Sequence, residues 1–272
     1  MDPLVALSAL YGSAIGFVLA FTGAGGGVLA VPLLVFGLDL PVAQAAPVAL
    51  IAVGTSAALG ALLGLREGVV RYRAAALIGA LAMATAPLGV WLAARLPPQP
   101  LLLAFAALLA YTAWRMARWH PGALDEIELA RVPCVRDPAD GRLRWTPRCA
   151  RVLAATGAVS GLLTGLLGVG GGFVIVPALT RVTDIAAHGV AATSLAVIAL
   201  ASLAGVLAAA GRGAIDPMLA AGFGGGAVVA LLIGRRVAHR LPPVGLRRGF
   251  AAVSAVVAAL MLARATGLWP AA

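Results

Sequence analysis

The sequence predicts an all-α polytopic membrane protein made of two inverted repeats, each with a glycine-tipped helical hairpin followed by three transmembrane helices. Of the 272 residues, 62% are hydrophobic and only 11% are charged, and the mean hydropathy is +1.02. Soluble domains are far less apolar, and apolar runs long enough to cross a bilayer recur along the chain. A glycine-rich break inside one such run, at residues 23–27, occurs again at residues 168–172.

The positive charge also favours a membrane protein. The formal net charge is +10, and all 20 basic residues are arginines that cluster between the apolar runs. This distribution is typical of cytoplasmic loops under the positive-inside rule, so we expect a lipid bilayer and no nucleic acid as partner. Residues 1–20 lack a basic start and are not expected to form a cleaved signal peptide. Cys134 and Cys149 are too few for a disulfide framework and are expected to be loop thiols.

The chain contains an internal duplication. Residues 13–98 align without a gap to residues 158–243, and glycines and prolines coincide along the alignment. We therefore divide the chain into an N-terminal membrane repeat (1–119), a cytoplasmic loop (120–149) and a C-terminal membrane repeat (150–272). The coincident pairs include Pro32 with Pro177, Gly60 with Gly205 and Gly89 with Gly234.

Each repeat is expected to contain five apolar helical segments. In the first half they are residues 4–21, 28–38, 45–65, 74–94 and 101–119. In the second half they are residues 152–167, 173–182, 189–210, 218–233 and 246–262.

Arginine placement predicts that the two repeats have opposite orientations. The loop with Arg66, Arg71 and Arg73 is basic, whereas its equivalent at residues 212–216 is poor in charge; the next loop, at residues 235–248, reverses this pattern. Equivalent loops would then lie on opposite faces of the cell inner membrane. Keeping all basic loops in the cytoplasm requires each glycine break to be a hairpin tip, either re-entrant or nearly spanning, and places both termini outside.

The breaks are the candidate substrate site. Three consecutive glycines disfavour a continuous helix, and a break inside lipid persists only where it is packed in protein or lines a cavity. The helices that follow would begin within the membrane, where unpaired N–H groups and a partial positive charge suit a small anion. The alternative is that the glycines only permit close helix packing.

The candidate substrate-binding residues include polar side chains near the breaks. The hydroxyls in the following helices could contact substrate or could bond to their own backbone, and Asp39 and Asp184 are expected to cap the next helices or pin the hairpins. No catalytic or metal-ligating group is predicted. The candidates are Thr22, Gly23, Gly25, Gly26 and Gly27 at the first break, Gly168, Gly170, Gly171 and Gly172 at the second, and Gln44, Thr55, Ser56, Thr193 and Ser194 beyond the breaks.

The doubled motif resembles the sulfite exporter TauE/SafE family of membrane permeases. The resemblance is carried by FTGAGGGVLAVP at residues 21–32, GLLGVGGGFVIVP at residues 165–177 and ATSLAVI at residues 192–198. It extends over both repeats and implies transport of sulfite or small organosulfur anions. The chain departs from the family pattern at Ala201, where asparagine is expected, and at Pro47 and Ala49.

We therefore expect a secondary transporter that exports sulfite or a small organosulfur anion by alternating access, without a cofactor. A homo-oligomer is compatible with this expectation. Import, or transport of another small anion, is an alternative. Two rival classes are an intramembrane enzyme, which the three histidines near predicted loops do not support, and a non-transporting assembly subunit. Substitution of the glycines distinguishes a packing role, which predicts misfolding, from a binding role.

Overall fold

The computed structural model describes residues 3–22, 26–117, 133–135, 145–211, 216–238 and 243–265. These residues form helices and no β-strand beyond a single isolated bridge, so the all-α prediction is confirmed. Each of the ten predicted apolar segments corresponds to one helix. In chain order they are α1 (Pro3–Thr22), α2 (Gly26–Gly37), α3 (Val42–Arg66), α4 (Tyr72–Ala93), α5 (Pro98–Ala117), α6 (Pro147–Leu167), α7 (Gly172–Val182), α8 (Ala187–Ala210), α9 (Pro217–Ala238) and α10 (Pro243–Ala265).

Several helices begin earlier than the apolar pattern predicted because their first residue is proline. Proline at the first helical position loses no hydrogen bond, and its fixed φ already suits the helix. The predicted starts followed the first apolar residue instead. The helices that begin in this way start at Pro3, Pro98, Pro147, Pro217 and Pro243.

Helix length sets two short helices apart from the other described helices. Five of them, α3, α4, α6, α8 and α9, are long and apolar enough to cross a membrane. By contrast, α2 has 12 residues and α7 has 11. At 1.5 Å per residue these two extend only about 18 Å and about 17 Å, roughly half of a hydrocarbon core. We call α2 and α7 the half-helices.

Helix α1 packs along α9 through small residues. A Cβ placed on Gly12 would collide with the carbonyl oxygen of Phe223, and one on Gly16 would collide with that of Ala227. The two backbones therefore touch directly, as they do at small-residue interfaces in membranes. Residue numbers increase together along the two helices, from Gly12 with Phe223 to Gly16 with Ala227, so α1 and α9 run parallel.

The same contact occurs between α6 and α4. Gly157 lies against the carbonyl oxygen of Ile78 and Gly161 against that of Ala82. Each of these four residues is 145 positions from its counterpart in the α1–α9 contact. The first helix of each half thus packs on a helix of the other half.

Helices α3 and α8 cross at the centre of the bundle. A Cβ on Gly60 would lie 2.8 Å from Leu195 Cδ1, and one on Gly205 would lie 2.9 Å from Leu50 Cδ1. Since the duplication pairs Gly60 with Gly205 and Leu50 with Leu195, the contact is reciprocal, as in a two-fold interface. Each leucine fills the space that a glycine leaves.

The expectation of two loop thiols is wrong, because Cys134 and Cys149 form a disulfide. The Cys134 N–H also donates to the carbonyl oxygen of Val182 at 3.0 Å, and Cys134 forms a bridge with Thr183. The start of α6 and the end of α7 are thereby held together. The small number of cysteines argued only against a network of several disulfides. A single disulfide requires only that two cysteines lie close together in the fold, which the sequence did not show.

We expect Gly161→Ala to destabilise the protein by about 1–3 kcal/mol, because the new methyl group overlaps the backbone of α4. Gly225→Ala is the matched control: it also lies within a helix, but a Cβ there meets nothing within 4 Å. That variant should be neutral or slightly more stable, since alanine favours helix by about 1 kcal/mol. Thermal unfolding of both purified variants measures the difference, and equal melting temperatures would contradict the packing described.

The topology can be tested with single engineered thiols, because both native cysteines are in the disulfide. Tyr72 and Gln99 are exposed and lie at the starts of α4 and α5. The arginine pattern predicts that Tyr72→Cys is cytoplasmic, so a membrane-impermeant maleimide should label it only after permeabilisation. Gln99→Cys should be labelled in intact cells, and the reverse pattern would overturn the predicted orientation.

Candidate functional site

The second glycine break contains three residues in the left-handed backbone region. Gly168, Gly170 and Gly171 have φ values of 71°, 69° and 67°. Side chains other than glycine are strained there. Gly168 ends α6, with its N–H donating to the carbonyl oxygen of Thr164 at 2.8 Å. The glycines therefore allow the chain to leave one helix and begin the next within five residues.

The break supplies the N-terminus of half-helix α7. Gly171 is the N-cap and has no side chain with which to cap the first turn. Its carbonyl oxygen accepts the N–H groups of Val174 and Ile175 at 3.0 Å and 3.2 Å, and the Ser160 hydroxyl at 3.2 Å. The first N–H groups of the helix have no acceptor within the helix itself. The helix start is thus held to α6 through Ser160 and has no side-chain cap.

The first break is described only from Gly26 onward. Gly23 and Gly25 lie outside the described residues, and Thr22 is described only as the last residue of α1. Gly26 and Gly27 begin half-helix α2 and are buried. A Cβ on Gly26 would lie 2.7 Å from the carbonyl oxygen of Ile15, so the half-helix packs closely on α1.

The start of α2 contacts the break that precedes α7. A Cβ on Gly27 would collide with the carbonyl oxygen of Val169, which precedes α7. The Val53 side chain touches both breaks: its Cγ1 would lie 3.4 Å from a Cβ on Gly27 and 2.9 Å from one on Gly170. Ile198, the counterpart of Val53 in the duplication, also contacts Gly170.

The depth of this meeting point follows from helix positions. Val53 lies near the middle of α3, which runs from Val42 to Arg66, and Ile198 lies near the middle of α8, which runs from Ala187 to Ala210. Both helices are candidate membrane spans. The start of α2 and the break before α7 therefore meet midway along the two central helices, where Val53, Val169 and Ile198 are buried apolar neighbours.

Three of the predicted polar candidates have other hydrogen bonds, and a fourth lies far from the breaks. Gln44 is exposed near the start of α3, about nine residues and 13 Å before Val53. Thr55 is exposed and donates to its own helix, at 2.7 Å to Ile51. Thr193 accepts the N–H of Arg71 at 3.1 Å, and Ser194 donates to the carbonyl oxygen of Ala191 at 2.8 Å.

Neither aspartate is the N-cap residue of the next helix, so the capping part of the expectation is wrong. The N-cap residues of α3 and α8 are Pro41 and Ala186, and neither helix has a side-chain cap. Asp39 instead ends the first hairpin with its backbone: its φ is 51°, a left-handed conformation that aspartate tolerates. This lets the N–H groups of Leu38 and Leu40 reach the carbonyl oxygen of Leu34 at 3.2 Å and 3.4 Å.

Three hydroxyl residues at the second break were missed by the sequence reasoning. Thr164 and Ser160 lie about one and two turns before the end of α6, and their hydroxyl groups face Gly171. Ser202 lies on α8, one turn after Ile198, and its Oγ would be 3.6 Å from a Cβ on Gly170. Helical spacing from the glycine motif could have located the first two, because positions four apart share a face.

Glu67, Arg235 and His188 form a charged cluster at one end of the bundle. Arg235 donates to Glu67 Oε1 and to the carbonyl oxygen of Gly60, both at 2.9 Å, and His188 Nε2 is 3.6 Å from Glu67 Oε2. These residues join the end of α3, the start of α8 and the end of α9. Among the described residues, no group of three or more His, Cys, Asp or Glu side chains could hold a metal ion.

Comparison with known proteins decides the family. Residues 8–261 match the family model described as Sulfite exporter TauE/SafE. The chain belongs to this family. The match extends over both TauE/SafE repeats and both glycine breaks, so the resemblance identified from the motifs is confirmed.

Two relatives of the chain are similar over part of their length. Both are named "Probable membrane transporter protein", from Xylella fastidiosa strain 9a5c and strain Temecula1. Each is 31% identical over 182 residues, covering 65% of this chain and 64% of the relative. The aligned region is thus slightly less than two thirds of either relative. No solved structure matches the chain.

We expect Gly171→Ala to be far more damaging than Gly68→Ala. The two glycines have nearly the same φ, 67° and 70°, so both variants bear a similar left-handed strain of about 1–2 kcal/mol. A Cβ on Gly171 would also collide with the Ser160 hydroxyl, whereas one on Gly68 meets nothing within 4 Å. A lower melting temperature for Gly171→Ala than for Gly68→Ala would show that the break is held by α6; equal values would contradict it.

Proposed function

We propose that the protein is a secondary transporter of sulfite or a small organosulfur anion, with the anion bound where the two half-helices begin. The observation that carries the proposal is the contact between the start of α2 and the break before α7, midway along α3 and α8. Family membership supports the transport role and suggests the class of substrate. The names of the two relatives agree with transport.

The chemistry of this meeting point favours an anion. Each helix start presents unpaired N–H groups and about half a positive charge. Glycine lets a ligand approach the backbone, and in a dry environment these fixed donors interact with an anion more strongly than they would in water. The residues in contact with Gly27 and Gly170 include Val53, Ile198 and Ser202, none of which bears a charge.

We also propose that the repeats are inverted in the inner membrane. Support comes from the hairpin ends: the disulfide holds the end of α7 at the start of α6, beside the Arg66–Arg73 loop, because α6 runs parallel to α4. The end of α2 lies instead beside the first half of α1, with Gly37 against Tyr11. Because α1 runs parallel to α9, the start of α1 lies beside the start of α9, and Arg235 lies at the other end of α9. The first hairpin therefore opens at the end of the bundle opposite Arg235 and Glu67.

This arrangement supports the proposal of alternating access. The half-helix starts are buried, so a substrate can enter only after the packing around them opens on one side. The Arg235–Glu67 pair joins α9 to the end of α3 on the arginine-rich side. We expect an opening on that side to separate Arg235 from Glu67. The reciprocal contact of α3 with α8 would then be the place where one half moves relative to the other.

Flux measurements in proteoliposomes test the transport proposal. We expect labelled sulfite and short sulfonates to move down their gradients through the wild-type protein. Gly171→Leu should abolish the flux, because a large side chain would occupy the start of α7. Gly225→Leu, on the exposed face of α9, should retain it.

Two outcomes of this experiment would reject the proposal. The absence of flux for every anion tested with folded wild-type protein would favour a non-transporting assembly subunit. Normal flux in a folded Gly171→Leu variant would show that the anion does not bind at the start of α7.

A further inference from the structure

Ser202 differs from most buried hydroxyl residues of this protein. Thr156, Thr164 and Ser194 each donate to a backbone carbonyl three or four residues earlier, at 2.7–2.8 Å. Ser202 is fully buried on α8, yet its Oγ has no hydrogen-bond partner among the described residues. A buried hydroxyl without a partner is unfavourable, so a group that supplies one would gain from this position.

The unpaired hydroxyl lies beside the break before α7. Its Oγ would be 3.6 Å from a Cβ on Gly170 and 3.6 Å from one on Gly54, and Ser202 Cβ would be 2.8 Å from the latter. Only glycines leave room on these two sides. The hydroxyl is therefore enclosed between α3 and the segment that supplies the uncapped start of α7.

We propose that Ser202 Oγ donates a hydrogen bond to the transported anion beside the start of α7, and that the site selects monoanions. This inference rests on the proposed function. The starts of α2 and α7 provide about half a positive charge each, together about one elementary charge. The three atoms nearest to a Cβ on Gly170 belong to Val53, Ile198 and Ser202, so none of these nearest neighbours adds an ionised group to this charge.

A site of this kind favours anions with one charge and some apolar surface. A dianion such as sulfate or the doubly ionised form of sulfite would retain uncompensated charge in a buried site, which is costly. Hydrogensulfite and short alkanesulfonates carry one charge, and the Val53 and Ile198 side chains can contact an alkyl group. The predicted substrate class is therefore sulfur oxyanions in singly charged form.

Ser254 provides a matched control for Ser202. It is also fully buried without a hydrogen-bond partner among the described residues. It lies on α10, however, which packs mainly on α5. Replacing either serine by alanine removes an unsatisfied hydroxyl and should leave the anion-free melting temperature unchanged or slightly raised. A purely structural role for Ser202 would predict a lower melting temperature.

The test is anion-dependent thermal stabilisation of the purified protein, with methanesulfonate, sulfite and sulfate as probes. We expect methanesulfonate to stabilise the wild-type protein and Ser254→Ala equally. Its affinity for Ser202→Ala should be weaker by roughly tenfold or more, as expected for a lost hydrogen bond to a charged group. Stabilisation by sulfite should grow as the buffer becomes mildly acidic and hydrogensulfite accumulates, while that by methanesulfonate should not change.

The outcomes separate this inference from the proposed function. Equal affinity of wild type and Ser202→Ala for methanesulfonate would reject the role of Ser202. Sulfate binding as tight as methanesulfonate would reject the selection of monoanions, and both results would leave anion transport standing. No stabilisation by any anion, together with no flux in proteoliposomes, would reject the proposed function itself.

Discussion

The whole arrangement depends on one constraint: a backbone interrupted inside a membrane must be kept away from lipid. Each glycine break ends one helix and begins another, and the polar groups at both ends would be unsatisfied in hydrocarbon. The structure encloses the second break between α3, α6 and α8, where Gly168, Gly170 and Gly171 are buried. Glycine at these positions permits the left-handed turns and leaves space for neighbouring helices to close around them.

Burial of the breaks explains why the two halves are interleaved. A half-helix covers only part of the bilayer depth, so its start needs neighbours from outside its own hairpin. The start of α2 rests against Val169 of the other half, and the break before α7 rests against Val53 of α3. Parallel packing of α1 on α9 and of α6 on α4 holds these neighbours in place. Neither half alone supplies the contacts that its break requires.

The helices were predictable from the sequence because apolar runs specify membrane helices. Three consecutive glycines alone do not specify an interruption, since α9 continues through Gly224, Gly225 and Gly226; the two breaks were predictable because they recur at equivalent positions of the duplication. The polar contacts were not predictable, since they depend on how each helix is rotated. Thr193 and Ser202 are both buried on α8, yet Thr193 binds the Arg71 backbone at the bundle end, whereas Ser202 faces Gly170 at the centre. Their separation of nine residues moves the second hydroxyl about 13 Å along the helix.

The Cys134–Cys149 disulfide sets two general rules against each other. Disulfides persist mainly in oxidising compartments, but this one lies at the end of the bundle that carries Arg66, Arg71 and Arg73, which the positive-inside rule assigns to the cytoplasm. Its burial reconciles the two, because both cysteines are at most 1% exposed and exchange requires a thiolate to reach a sulfur atom. Once formed, the bond is shielded from dissolved thiols by the same packing that holds Val182, at the end of α7, against Cys134. A cross-link at this place therefore fixes the outer end of the half-helix while leaving its glycine start, at the centre of the bundle, dependent only on packing.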